Sequence, residues 1–307
     1  MRAAVIVVGG EALIDMVPVG TDNGDPAFAA RPGGGPFNVA VGAARLGCPV
    51  SMLTRLSTDA FGEKLLAGLR SAGVHTDLVQ RGPEATSLAV TGIGDDGSAE
   101  YRFYVDGTAD RLVRAPALPP GTSAFVAGTL GMVLEPGASA YEALLRRAHT
   151  DRALTVLDPN IRPDLIADPD AYRARFWSWL STVDILKLSA EDAEWLGGDV
   201  RGWLAAGPSA VVLTLGGQGL EAVTAAATIK APPVPVTVAD TVGAGDTVLA
   251  TLLYGLHERD ALRRDAVRAL DEQTWRAVLD DCAAAAAWTC ARTGAQSPTV
   301  AQLRGSA

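Results

Sequence analysis

The sequence predicts an α/β fold: a three-layer α/β/α sandwich with a mostly parallel central sheet and a small β-sheet lid. Two patterns lead there. Beyond Pro116, short apolar runs at 124–127, 154–157, 184–188 and 210–215 read as strands, and 138–148, 170–180 and 190–196 read as the helices between them. That alternation makes a parallel sheet covered by helices on both faces. Residues 85–106 differ. There Leu88, Val90 and Ile93, then Tyr101, Phe103 and Val105, flank a Gly94-Asp95-Asp96-Gly97 turn, as half-buried antiparallel strands do.

In chain order, residues 3–8 form a short apolar run closed by Gly9-Gly10, a buried strand. It lacks the apolar length and cleavage pattern of a signal peptide. Residues 12–19 are a second extended piece, carrying Asp15, and 21–26 are polar and turn-rich. Arg31-Pro32-Gly33-Gly34-Gly35-Pro36-Phe37-Asn38 then opens a helix over 39–46. Three consecutive glycines cost backbone entropy that a plain loop rarely needs. Pro36 suits a first helical turn, and Asn38 offers its amide to whatever the glycines admit. A strand at 50–54 and a helix at 60–72 follow. The helix-free pieces, about 12–32 and 85–110, are expected to form the lid as insertions in a single domain spanning 1–307.

The chain is organised around Asp240-Thr241-Val242-Gly243-Ala244-Gly245-Asp246-Thr247. The β-branched run Val234, Val236 and Val238 reads as strand-like, and Val248, Leu249, Leu252, Leu253 and Leu256 carry helical spacing. Glycines at such a junction let backbone approach a ligand, and the unpaired N–H groups of the first turn attract an anion. Asp246 places a carboxylate there, an arrangement suited to handling a proton beside a transferring phosphoryl group. The helix dipole should lower its pKa. Asp158-Pro159-Asn160-Ile161-Arg162, Lys187, and Thr214-Leu215-Gly216-Gly217-Gln218-Gly219 fall at the carboxyl ends of expected strands, where ligands sit in such folds. An alanine-rich helix over 275–292 completes the chain.

Several classes drop out. A net charge of −9 without basic runs argues against a nucleic-acid or anionic-membrane surface. Three cysteines without a CxxC, and three scattered histidines, indicate neither a disulfide framework nor a metal cluster. None of Lys64, Lys187 and Lys230 follows a glycine, so there is no P-loop. Gly9-Gly10-Glu11 leads into extended chain, which removes the dinucleotide-binding fingerprint. No segment reaches the length of a membrane span, so a cytoplasmic enzyme is the default expectation.

With these pieces assembled, the whole chain resembles the ribokinase/fructokinase-like sugar kinases of the phosphofructokinase B family. Gly33 to Gly47 is similar to that family's sugar-side signature, and Asp240 to Thr247 to its C-terminal signature. Asp158 to Arg162, with Phe103-Tyr104 and Ala109-Asp110, leans towards the fructokinase branch. The resemblance implies a ribokinase-like fold and transfer of the ATP γ-phosphoryl group to a sugar hydroxyl. It implies Asp246 as base, and the backbone of Gly243, Ala244 and Gly245 as anion hole. Asp15, Gly34, Gly35, Asn38, Tyr104 and Arg162 would hold the sugar. Asn160, Lys187, Thr214, Gly216, Gly217 and Gly219, with Gly243 and Gly245, would hold ATP. Mg2+ is implied with the nucleotide, K+ is an option beside the Asp240 loop, and a homodimer through the lid is allowed. Ser189 and Asp192 depart from an Asn-x-x-Glu pair that many relatives link to metal and phosphate. Fructose is the expected sugar, because Asp15 would repel an acid such as 2-keto-3-deoxygluconate. That holds if Tyr101, Phe103 and Val105 face the main domain; the opposite register would bring in Arg102 and Tyr104. A ribose or nucleoside kinase, or a non-catalytic sensor of the same fold, stays open.

Overall fold

Along the chain run β1 (Val5–Gly9), β2 (Leu13–Asp22), β3 (Asp25–Gly33), α1 (Gly35–Arg45), β4 (Val50–Ser57), α2 (Ala60–Ser71), β5 (Val79–Gly82), β6 (Leu88–Ile93) and β7 (Ala99–Tyr104). There follow β8 (Thr122–Gly128), α3 (Gly137–Thr150), β9 (Leu154–Asp158), α4 (Pro169–Trp179), β10 (Ile185–Ser189), α5 (Ala190–Trp195), α6 (Val200–Ala206) and β11 (Ala210–Thr214). The last elements are β12 (Leu220–Thr224), β13 (Thr228–Ala231), α7 (Ala244–His257), α8 (Arg264–Arg268), α9 (Glu272–Cys290) and α10 (Val300–Leu303). This computed structural model describes residues 5–22, 25–93 and 99–305. The Gly94–Gly97 turn lies outside them.

Nine strands form the main sheet in the order β13-β12-β11-β10-β9-β8-β1-β4-β5. All neighbours pair in parallel except β11 with β12 and β12 with β13. Parallel strands buried on both faces need apolar side chains on both, and the residues alternate accordingly. Ile6, Val8, Met52, Val126 and Val156 point into a core closed by α1, α2, α7 and α9. Val7, Leu53, Phe125, Leu157 and Leu186 point into a second core with Tyr141 of α3, Phe176 and Trp179 of α4 and Trp203 of α6. The expected three-layer α/β/α architecture is the observed one.

The second sheet has four strands in the order β3-β2-β6-β7. Reading 21–26 as a polar turn missed β3, which pairs antiparallel with β2 from Leu13–Gly33 out to Asp22–Asp25. Few of its residues are fully buried, so its apolar pattern is weak. The antiparallel edge hairpin β12–β13 was missed as well, its strands being five and four residues long. A further correction concerns Val234, Val236 and Val238, which are exposed and pair with no strand. Pro232, Pro233 and Pro235 remove the donors that a ladder would need there.

Candidate active site

A cavity of about 790 Å³ opens between the lid sheet and the carboxyl ends of the main strands. The lid contributes Leu13, Asp15 and Val17 from β2, Arg31 from β3, Ala89 and Thr91 from β6, and Tyr101 and Phe103 from β7. On β2, β6 and β7 these alternate, as one face of a pleated sheet must, while β3 adds the neighbouring Pro32 to Arg31. Tyr101 and Phe103 stack with ring centroids 6.4 Å apart. So the aromatic pair faces the cavity, while Tyr104, 54% exposed, points away and does not line it. That corrects the placement of Tyr104 with the sugar.

Each glycine of the 33–35 run has its own physical reason. A Cβ on Gly33 would fall 2.0 Å from Asp15 Oδ2, so the glycine makes room for that carboxylate. Gly34 has φ of 99°, where other residues are strained. A Cβ on Gly35 would stand 2.7 Å from Thr129 Cγ2, 3.3 Å from Asn160 Nδ2 and 3.4 Å from Asp246 Oδ1. The ends of two strands, β8 and β9, and the start of α7 therefore converge on one bare backbone.

Asp246 sits in the first turn of α7, whose N-cap Gly243 is left-handed with φ of 77°. Asn38 Nδ2 donates to Asp246 Oδ2 across 2.8 Å, joining the two glycine-rich segments. Gly243, Gly245 and Asp246 line the cavity. Ala244 does not, and its N–H already donates to Thr241 O at 3.2 Å. That removes Ala244 from the expected anion hole. Burial raises the Asp246 pKa, against the opposing Asn38 hydrogen bond and the charges of Lys187 and Arg162. The lowered pKa expected from the helix dipole is thus overturned: loss of water outweighs the dipole. Asp15 is also pushed up, to about 6, by burial and then by the Asp246 charge.

On the other side of the cavity, Lys187 Nζ bonds Asp158 Oδ2 at 2.7 Å. Burial still lifts Asp158 to about 6. Asn160 lines the cavity with φ of 41° and accepts on Oδ1 from Arg162 Nη1 at 2.7 Å. Thr214, Gly216, Gly217 and Gly219 end and follow β11 beyond the cavity lining. Nothing lies within 4 Å of a Cβ placed on Gly216 or Gly217, so this backbone faces open space. Gly219 differs, for a Cβ there would meet Ala231 O at 2.2 Å, which gives it a packing role. Ser189 and Asp192 form a capping box on α5, and Asp192 Oδ1 also accepts from Ile161 N–H at 2.9 Å. Among the described residues no three His, Cys, Asp or Glu side chains gather as a metal site. No described helix is long and apolar enough to cross a membrane.

Sequence reasoning missed Glu11, Arg31, Thr91 and Thr129 as cavity residues. Period-two alternation from Asp15 would have found Thr91 once the pairing of β2 with β6 was known, and only the structure supplies that pairing.

Comparison with known proteins agrees with this fold. Residues 3–302 match the model of the pfkB family carbohydrate kinases. The chain is 38% identical over 280 residues to a fructokinase of Rhizobium leguminosarum bv. trifolii, covering 88% of this chain and 85% of the relative. It is 31% identical over 265 residues to a fructokinase of Klebsiella pneumoniae, covering 82% of this chain and 84% of the relative. The crystal structure of a fructokinase with bound ATP from Xylella fastidiosa superposes with a TM-score of 0.91 at 29% identity, covering 98% and 97% of the two chains.

Proposed function

Because the chain belongs to the pfkB family of carbohydrate kinases and is thereby an ATP-dependent phosphotransferase, we propose that its acceptor is fructose and that Asp246 takes the hydroxyl proton. The observation that carries this is the Asn38–Asp246 hydrogen bond of 2.8 Å beneath the Gly33–Gly35 backbone. It brings the sugar-side and phosphate-side segments to one point.

In the proposed step the sugar hydroxyl gives its proton to Asp246 while its oxygen bonds to the γ-phosphorus. The bond from that phosphorus to the β–γ bridging oxygen breaks, and ADP leaves. The N–H groups of Gly243 and Gly245 at the start of α7 face the charge that develops, a preorganised arrangement that needs no P-loop. Its raised pKa makes Asp246 a stronger base than an ordinary helix-start aspartate. Asp15, Asn38, Gly34, Gly35 and Arg162 orient the sugar. Asn160, Lys187 and the open Thr214–Gly217 backbone take the nucleotide. Mg2+ would ride on the ATP phosphates and offset their charge, with Asp158, whose Oδ1 has no hydrogen-bond partner, available to hold its water. K+ beside the Asp240 loop, a cytoplasmic setting and a dimer through the exposed Phe28 and Tyr104 side of the lid belong to the same proposal.

Fructose is favoured by the names of the relatives, by the Tyr101–Phe103 face of the lid, and by the Asp15 carboxylate, which repels an acid. Arg31 on the same lid face favours a second reading, an anionic sugar, because a guanidinium can pair a carboxylate in two hydrogen bonds. Turnover on fructose, ribose and 2-keto-3-deoxygluconate with ATP separates them. Strong preference for the acid overturns fructose, and no turnover on any sugar overturns the kinase assignment of Asp246.

A further inference from the structure

Glu11 is a buried carboxyl that the phosphoryl transfer above does not use, yet both it and Thr129 line the cavity. It follows Gly9-Gly10 at the carboxyl end of β1, and its carbonyl oxygen lies 3.0 Å from where a Cβ on Gly34 would stand. Both of its carboxyl oxygens contact the single Oγ1 of Thr129, and Oε2 also accepts from Gly131 N–H at 3.1 Å. One hydroxyl proton serves two such oxygens poorly. The contacts are matched when Oε1 carries a proton and donates it to Oγ1. Thr129 has φ of 50°, a costly conformation for a β-branched residue, and its Cγ2 forms the wall behind Gly35. Glu11 thus fixes a threonine that shapes the glycine loop.

We propose that Glu11 is a positioning residue for the acceptor sugar, setting through its own proton whether the Thr129 hydroxyl can donate into the cavity. This rests on the sugar-kinase reading. The sugar side is rich in acceptors, since Asp15 and Asp246 accept when ionised and the Asn38 amide is engaged with Asp246. The charged donors there are Arg31 and Arg162, so a neutral hydroxyl donor would have to come from a residue such as Thr129. With Glu11 neutral, Glu11 donates to Oγ1 and the Thr129 proton can turn to a sugar oxygen. With Glu11 ionised, that proton is held by the carboxylate charge, and Thr129 offers the sugar lone pairs only.

Burial raises Glu11 to about 7, against the bonds from Thr129 and Gly131 and with the help of the Asp110 charge. Asp110 is hydrogen-bonded by Ser87 and Thr108. From α3, Tyr141 donates its hydroxyl proton to Gly10 O at 3.0 Å, and across the cavity stand Asp15, Asp246, Arg162 and Lys187.

The test is the KM for fructose, at saturating ATP, from roughly pH 6 to pH 8.5 in the wild type, Glu11→Gln and Thr129→Val. The wild-type KM should rise about fivefold through the titration of Glu11, the scale of one hydrogen bond. Glu11→Gln should lose the rise about pH 7, because its amide donates to Oγ1 at every pH, and keep only the change that Asp15 makes near pH 6. Thr129→Val should be weak and lose the same rise. A wild-type KM without that rise, or a Glu11→Gln curve that follows the wild type, overturns the proposal, since a merely structural role predicts that second result. Should Glu11→Gln not fold, Thr129→Val decides: loss of that rise supports the proposal and its retention overturns it. Failure of the fructose reading looks different: wild type that makes no fructose product but phosphorylates ribose, on which the same curves are then read.

Discussion

Lys187 Nζ and Asp158 Oδ2 lie 2.7 Å apart at the carboxyl ends of neighbouring strands, each side chain only 5% exposed. The pair is the most deeply buried of the ion pairs among the described residues. Removing one partner strands the other charge in the interior, a loss of about 3–5 kcal/mol. Lys187→Met should therefore lower the melting temperature by roughly 10 °C in a chain of this size. Adding Asp158→Asn to it should recover part of that. Thermal melts of both variants check this, and an unchanged single variant would contradict it.

Asp246→Asn should cut turnover by roughly 10²–10⁴-fold, the usual scale for a lost general base, while ATP still binds. In the wild type, turnover should rise with pH through an inflection above the ordinary aspartate range, because burial raises the Asp246 pKa. Asn38→Ala removes a bond that favours the ionised carboxylate and should move that inflection upward. Steady-state rates across pH with calorimetric ATP titrations measure both effects.

Asp15 should trade stability for binding. Its pKa is 3.8 in an ordinary setting and about 6 in the fold. Between those values the folded protein holds a proton that the unfolded chain has released, so stability falls as pH climbs through that window and stays lower above it. Asp15→Asn should accordingly melt above the wild type near pH 7 and lose that advantage below about pH 4, while its KM for sugar rises. Melting curves at the two pH values, set beside sugar kinetics, test the sign.

The two lid tyrosines should behave oppositely. Tyr101→Ala should raise the sugar KM several-fold, roughly the 0.5–1.5 kcal/mol of a lost aromatic contact. Tyr104→Ala, on the far face of the same strand, should leave it unchanged. Equal effects of the two would place the sugar elsewhere.

What the sequence made legible follows periodicity and local chemistry. The central strands were readable because they are apolar on both faces, and the start of α7 because Gly243 and Asp246 carry a meaning within eight residues. β3 was not, since its partner and its half-exposed surface are set by tertiary pairing. Lid facing could be stated only as two registers, and the placement of Tyr101 and Phe103 on the cavity wall chose one. Asp246 shows the limit most clearly: local sequence places it at a helix dipole, but only the assembled fold shows the packing around it that raises its pKa. Glu11 went unremarked because nothing in Gly9-Gly10-Glu11 announces Thr129, which stands 118 residues further along.

The loop at 293–297 carries a consequence for biosynthesis. Gly294 N–H donates to Asp240 Oδ2 at 2.8 Å, the Ser297 hydroxyl meets that of Thr247 at 3.0 Å, and Ser297 O accepts from Arg45 Nε at 2.8 Å. One late segment thus clamps the phosphate-side loop, the start of α7 and the first helix. A ribosome that has released everything up to residue 290 has delivered the whole main sheet and every proposed catalytic side chain, but not the clamp. All nine strands of the main sheet precede the clamp, the last ending at Ala231, so the sheet can assemble before the site is braced and competence to transfer phosphate follows sheet formation.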